Sequence, residues 1–295
     1  MTILMGVKPQ KVLHLAKELE KKKPNLSGEY LITEKFDGWY CQIPFSVEKG
    51  WQAPISSAMR KIPAFEWVAE YLNGTNLKPS FDCIVLAEAI IPETPFHILN
   101  GRFNRSVGDC SCKDVIFKVH DLLNTSPLNS LARVSQASEF VYFAKSKQIT
   151  LFEEVQVLQF IKHEQKVWER IFETIIDKGG EGIIIKRSSA LYQSGKRNSD
   201  LLKLKLEATF DLLCKEVYYT VGEKGNDNMN LRLVRASGTE VAVRVGKHSD
   251  IAKFEKESPV GKVVEVRCMK ELSDGALREP RFAWLREDKL VNEID

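Results

Sequence analysis

Around residues 207–209 the texture of the chain changes, and that change limits the fold more than any other feature. Downstream come short β-rich runs at 210–219, 231–236, 241–245 and 263–270, separated by Gly-, Asn- and Asp-rich turns, with one helical piece near 249–257. About five short strands and one helix suit a small closed barrel of the OB-fold kind. The 295 residues suffice for two domains that each bury a core, so the expected division is 1–207 and 208–295.

The first part mixes helical and extended periods, which gives an α+β chain. Residues 8–22 set Val12, Leu13, Leu15, Ala16 and Leu19 at helical spacing, ended by Lys21-Lys22-Lys23-Pro24. Residues 30–47 read as extended and 62–72 as an amphipathic helix. Residues 81–91 read as a buried strand and 115–123 as a strand ending in His120-Asp121. Helical period returns at 128–147 and 152–178, stopping at Gly179-Gly180, and strands follow at 182–186 and 201–206. One acid, Glu88, interrupts the apolar run 81–91, and a charge inside a core strand needs a reason.

Composition excludes several classes. No apolar run reaches the length of a membrane span, and the first residues lack the pattern of a signal peptide, which points to an intracellular protein with no membrane partner. The six cysteines are scattered, only Cys110 and Cys112 being close, so they read as reduced thiols, mostly packed in cores. Net charge is only +3, so a nucleic-acid surface must come from local clustering of Lys and Arg.

Chemistry concentrates in three lysine-bearing signatures: Lys35-Phe36-Asp37-Gly38, Glu181-Gly182-Ile183-Ile184-Ile185-Lys186 and Leu202-Lys203-Leu204-Lys205. A lysine amine attacks phosphorus once neighbouring cations and partial desolvation favour loss of its proton. Taking an adenylyl group also requires cations for the phosphates, a carboxylate on the metal side and a slot for base and ribose. Lys35 is the candidate nucleophile, Lys186, Lys203 and Lys205 the phosphate-side cations, Glu181 the metal-side acid and Glu88 the ribose partner. Each signature alone reads equally as a turn or an amphipathic strand; their coexistence favours the chemical reading.

Together these residues resemble the ATP-dependent DNA ligases of the covalent nucleotidyltransferase superfamily, in particular the small two-domain ligases of DNA bacteriophages and viruses. The likeness spans nearly the whole chain. It implies an antiparallel-sheet, ATP-grasp-like nucleotidyltransferase domain followed by an OB-fold. It implies ATP as adenylyl donor with AMP carried on Lys35, Mg2+ near Glu181 and Asp37, and a monomer acting on nicked duplex DNA. By the same resemblance Thr33 contacts adenine, His120 stacks on it, and Arg286 and Lys289 of the run 277–289 orient pyrophosphate. Lys196 and Arg197 lie in the stretch that helps hold the nick phosphate. Arg232, Arg235, Arg244 and Lys247 are the candidate DNA-binding cations of the barrel.

The pattern departs from the family at three places. Tyr40 and Ser57 stand where arginines are usual, and His120 replaces an aromatic ring, which predicts weaker and pH-sensitive stacking. Arg60, Lys61 or the Arg102/Arg105 cluster are candidates to replace the arginines. An mRNA capping guanylyltransferase, an RNA ligase and a catalytically weakened nucleic-acid-binding relative are the alternatives.

Overall fold

Side-chain alternation along strands sorts the first part of the chain into two sheets that each bury one face. The computed structural model describes residues 6–105, 111–222, 225–272 and 274–295. The chain divides into two compact units, Met1–Leu204 and Lys205–Asp295.

In the first sheet the order is Lys11–His14, Arg197–Lys205, Gly182–Arg187, Glu29–Glu34, Val157–Lys162. Lys11–His14 runs parallel to Arg197–Lys205, whereas Gly182–Arg187 and Val157–Lys162 flank Glu29–Glu34 antiparallel. Tyr30, Ile32, Ile183, Ile185 and Leu202 turn one face onto Trp168 and Ile175 of the helix Gln165–Asp177. That helix ends where expected, at Gly179, whose positive φ of 82° is the left-handed turn glycine adopts without strain.

The second sheet runs Gly50–Trp51, Trp39–Ser46, Cys83–Ile90, Ile116–Asn124, Phe152–Glu154, with Ile55–Ser56 paired to Trp39–Ser46. Cys41, Ile43 and Phe45 join Cys83, Val85, Ala87, Ala89, Phe117 and Val119 in the largest core. The helices Trp67–Asn73, Phe96–Phe103 and Ser130–Ser146 cover it, the last capped by the Asn129 side chain, which accepts from the Ala132 amide at 2.9 Å. The opposite face carries Tyr40, Gln42, Leu86 and Glu88. Glu88 therefore interrupts an apolar run because its strand has two different faces.

Two expected helices are shorter than their apolar periods. Within 8–22 only Leu15–Leu19 is helical, because the parallel ladder with Arg197–Lys205 takes residues 11–14 into the sheet while Leu13 and Leu15 still reach the Trp168 core. Within 152–178 the first eleven residues form strands and their connection, and the helix starts only at Gln165. Val155, Val157, Phe160 and Ile161 are strand formers, and pairing with Glu29–Glu34 overrides the helical period. Cys41, Cys83, Cys112, Cys214 and Cys268 are free and buried, while Cys110 lies outside the described residues. Among the described residues no helix is long and apolar enough to cross a membrane.

The second unit is a five-stranded antiparallel sheet in the order Glu240–Arg244, Asp227–Val234, Ala208–Val221, Val263–Cys268, Arg281–Leu285, and its two edge strands meet. The long first strand pairs with Asp227–Val234 over its second half and with Val263–Cys268 over its first. With the helix His248–Lys256 between the third and fourth strands, this is the OB-fold arrangement. Leu212, Leu231, Leu233, Val243, Phe254, Val264 and Val266 fill the interior.

Phe65 anchors the largest core, meeting Phe103 and Phe117 edge-on at centroid distances of 4.8 and 5.3 Å. Phe65→Ala is expected to destabilise the protein by about 3–5 kcal/mol, because the surrounding rings cannot collapse into the space left. A urea midpoint within error of the unsubstituted protein would show that this core is looser than the packing indicates.

Candidate active site

Antiparallel pairing of Glu29–Glu34 with Gly182–Arg187 assembles the first part of the site. Glu34 lies opposite Ile183, so Lys35, just past one strand, meets Gly182, the first residue of the other, and Glu181 just before it. The Lys35 amide donates to the Gly182 carbonyl at 2.8 Å, and its Nζ sits 2.5 Å from Glu181 Oε2. Two signatures separated by 146 residues are joined by one rung of sheet.

Lys35 lies on the wall of a cavity of about 240 Å³ between the two sheets of the first unit. Glu34, Ile184, Lys186 and Leu201 come from the first sheet; Tyr40, Leu86, Glu88, His120 and Asp121 come from the second. His120 and Asp121 are consecutive yet both face the cavity, because a β-bulge opposite Leu86 and Ala87 inserts one residue into the strand. Val119 and Leu122 on either side return to the core.

Asp121 is buried at the centre of an ionic group that the sequence reading only half anticipated. Lys186 Nζ lies 2.9 Å from Asp121 Oδ2 and donates to the His120 carbonyl at 3.1 Å, while Arg133 Nε lies 2.9 Å from Asp121 Oδ1. Burial alone would raise the Asp121 carboxyl, but the Lys186 and Arg133 cations overcome it and hold the group below its usual range. Arg133 has no signal in the sequence beyond an arginine in a helix.

Enclosure pushes Glu88 up to about 8, with Lys35 opposing and Glu181 and Asp37 adding to the rise. Burial, with the Lys186 charge, pushes His120 down to about 4, so its ring is neutral at pH 7. The pH sensitivity expected of His120 therefore falls well below neutrality. Tyr40 stands directly opposite Glu88 across the strands, and its buried hydroxyl lies beside that of Tyr192 without a hydrogen bond of normal geometry. Gly38 is required by close approach, since a Cβ there would meet the Ala89 carbonyl at 2.5 Å.

Other candidates lie off this wall. Thr33 pairs with Ile184, which is on the wall, but is not part of it. Lys203 follows Leu201 on the same strand face, opposite His14, and Lys205 closes the strand 3.6 Å from Glu279. In the second unit Lys289 lies 2.5 Å from Asp211, and Arg286 lies within 3.4 Å of Asp211, Glu265 and Asp288. Arg232 is paired with Glu216 and Glu240, and Arg235 with Glu271, so their charges are neutralised within the barrel. Arg244 and Lys247 are exposed and make no ion pair among the described residues, and Lys196 and Arg197 are exposed too. Arg60 and Lys61 line a neighbouring cavity of about 590 Å³ that shares Tyr40 and Glu88.

Among the described residues no three His, Cys, Asp or Glu side chains converge on a metal position. A magnesium ion held by one or two carboxylates, waters and substrate phosphates needs no such cage. The charges of Glu181 and Asp37 reach Glu88 beside Lys35, and such a gathering of carboxyl groups fits a divalent cation.

The family model of the ATP dependent DNA ligase domain matches residues 14–205. A comparison with curated protein sequences gives no match. Among solved structures, a Lig E DNA ligase shares 18% identity at a TM-score of 0.71 over 94% of this chain and 98% of its own. The ATP-dependent DNA ligase of bacteriophage T7, in complex with ATP, shares 15% identity at a TM-score of 0.57 over 97% and 100%. The ligase domain of LigD from M. tuberculosis shares 19% identity at a TM-score of 0.50 over 99% and 98%. At these identities the structures speak for the fold.

Glu88 makes the ligand-free cavity titrate. A carboxyl whose folded pKa lies above its ordinary 4.5 stabilises the fold fully only below that value and loses the contribution as pH climbs to about 8. Glu88→Gln has no charge to acquire. Its melting temperature, relative to the unsubstituted protein, is expected to rise between about pH 5 and about pH 9. A difference that stays constant over that range would show Glu88 to be solvated.

Proposed function

The chain belongs to the ATP-dependent DNA ligase family, and we propose that it seals 3′-hydroxyl/5′-phosphate nicks in duplex DNA with Lys35 as the adenylated residue. The observation that carries this reading is the Lys35–Glu181 pair at 2.5 Å on a cavity whose other walls hold Glu88, His120 and Lys186. In the first step the deprotonated Lys35 amine attacks the α-phosphorus of ATP, a P–N bond forms, and pyrophosphate leaves with the P–O bond electrons. The 5′-phosphate of the nick then attacks the same phosphorus and Lys35 departs. Finally the 3′-hydroxyl attacks the activated 5′-phosphate and AMP leaves.

Glu181 is the nearest group to the Lys35 ammonium. It holds the Lys35 side chain in place. Magnesium, when bound, neutralises phosphate charge, and Glu181 with Asp37 would hold it. Lys186 is fixed by Asp121 toward the phosphates, and Glu88 and His120 serve ribose and base. Lys203 and Lys205 are proposed as further phosphate-side cations. Arg286 and Lys289 would orient pyrophosphate, which requires that they exchange Asp211 and Glu265 for phosphate oxygens. Arg244, Lys247, Lys196 and Arg197 are proposed DNA contacts, and the protein is proposed to act as a monomer. The adenylation role is assigned to 1–207 and the barrel role to 208–295.

Incubation with α-labelled ATP and Mg2+ is expected to label the protein, and a nicked duplex added afterwards is expected to be sealed. Labelling by GTP instead would point to a capping enzyme. Lys35→Ala and Lys35→Arg should both lose labelling by orders of magnitude, because neither offers an amine that can be deprotonated. Both should still seal a nick that already carries a 5′-adenylate. Retained labelling in either variant rules out Lys35 as nucleophile.

A further inference from the structure

Besides the two sheets, the cavity has a third wall that no motif announced. Pro9, Gln10 and Val12 line it, and they belong to the segment 7–14, which crosses from one sheet to the other. On the side of the first sheet the segment is held many times over. The Gln10 amide donates to the Tyr192 hydroxyl at 3.0 Å, and Gln10 Oε1 accepts from the Gln193 amide at 3.3 Å. The Lys8 carbonyl accepts from Ser194 Oγ and the Gly195 amide, and the Lys11 amide donates to the Lys196 carbonyl at 2.8 Å.

On the side of the second sheet, the segment is held by Gln42. Gln42 is fully buried in Trp39–Ser46, and its side chain makes both bonds of a peptide-like pair with Val7. Its Oε1 accepts from the Val7 amide at 2.9 Å, and its Nε2 donates to the Val7 carbonyl at 2.6 Å. The Val7 side chain packs beside Tyr40 and Tyr192 on Ile84, Leu86 and Leu123, under the cavity floor. A buried amide among apolar strands is costly unless both its donor and its acceptor are used. Here the acceptor and one donor are spent on the backbone of Val7, which is a rung of sheet made by a side chain, and the amide nitrogen also meets Met59 Sδ at 3.9 Å.

We propose that Gln42 is a positioning residue for nucleotide binding: by clamping Val7 to the second sheet it holds the strap 7–12 as the third wall of the cavity. This rests on the ATP-binding reading of that cavity. Without the clamp the strap stays tethered near residues 8–11 and swings away from the second sheet. Pro9 then borders the slot on a strap anchored from one side only, and nucleotide must order its loose start at Val7 when it binds. The loss falls on ATP affinity, since Gln42 itself lines no part of the cavity and touches no reacting group.

The test uses Gln42→Leu and Gln42→Glu in the full chain. Gln42→Leu removes both bonds at nearly constant volume, and Gln42→Glu keeps the acceptor for the Val7 amide but loses the donor. Self-adenylation is followed over a range of α-labelled ATP, beside sealing of a pre-adenylated nick. Gln42→Leu is expected to raise the ATP concentration for half-maximal labelling roughly tenfold. Its maximal labelling rate and its sealing of the pre-adenylated nick should stay within about twofold, with Gln42→Glu in between. Hydrogen exchange supplies a readout free of nucleotide: the Val7 amide should exchange faster in Gln42→Leu, while the Gln10 amide and those of Cys83–Ile90 stay protected. Unchanged ATP dependence with unchanged exchange overturns the proposal, as does equal loss of both activities with a lowered melting temperature. If the unsubstituted protein takes no label from ATP, the nucleotide reading fails, and the exchange data alone decide whether Gln42 holds the strap.

Discussion

A single buried carboxylate, Asp121, ties the site together. It belongs to the second sheet, and its two partners come from elsewhere: Lys186 from the first sheet and Arg133 from the helix Ser130–Ser146. Arg133 also donates to the carbonyls of Leu128 and Ala190 and to Ser130 Oγ, so helix, loop and both sheets meet at one charge. A buried ion pair gains little net stability over apolar packing, but losing one partner strands a desolvated charge and costs about 3–5 kcal/mol. The group therefore acts through geometry. It fixes the spacing of the two sheets, and with it the width of the cavity and the direction of the Lys186 ammonium.

What the sequence revealed of the site are the residues whose neighbours in the chain carry the signal. Lys35 before Asp37-Gly38 and Glu181 before Gly182 stood out locally, and the ladder between their strands joins them. Glu88 stood out because a charge interrupts an apolar run, and the two-faced strand explains it. Arg133, Gln42 and Tyr192 escaped because their partners lie 12, 35 and 182 residues away and nothing near them in the chain marks the pairing. An arginine in a helix and a glutamine in a strand look alike whether they are solvated or buried.

The fold was legible to the same depth. Four of the five barrel strands and the intervening helix were readable from alternation, and Leu231, Leu233, Val243 and Val245 are buried while Arg232 and Arg244 point out, but the closing strand Arg281–Leu285 was not marked as one. Which of those arginines is neutralised was not readable, since Glu216 and Glu271 reach Arg232 and Arg235 only through pairing and turn geometry. At 8–22 and 152–162 apolar residues satisfied a helical period, yet a sheet edge offered the backbone better partners. Local period yields to tertiary pairing where the segment is short and rich in strand formers.

The charges around the cavity explain why so few cations suffice in its ligand-free form and why they cannot suffice for a polyphosphate. At pH 7 His120 is neutral and Glu88, at about 8, is mostly protonated, so neither contributes a full charge. Lys35 is balanced by Glu181, and Asp121 offsets one of its two cations, which leaves a single surplus positive charge from the Lys186–Asp121–Arg133 group, while the wall also carries the Glu34 carboxyl, whose pKa burial raises. Tyr40 and Ser57 add none. A triphosphate entering such a site carries far more negative charge than one cation can balance in an enclosed space. Were Glu181 to hold a divalent cation, the site would gain that ion's charge and the Lys35 charge now balanced by Glu181. The Lys35–Glu181 pairing of the ligand-free site is thus the one that a polyphosphate and its cation together would have to undo.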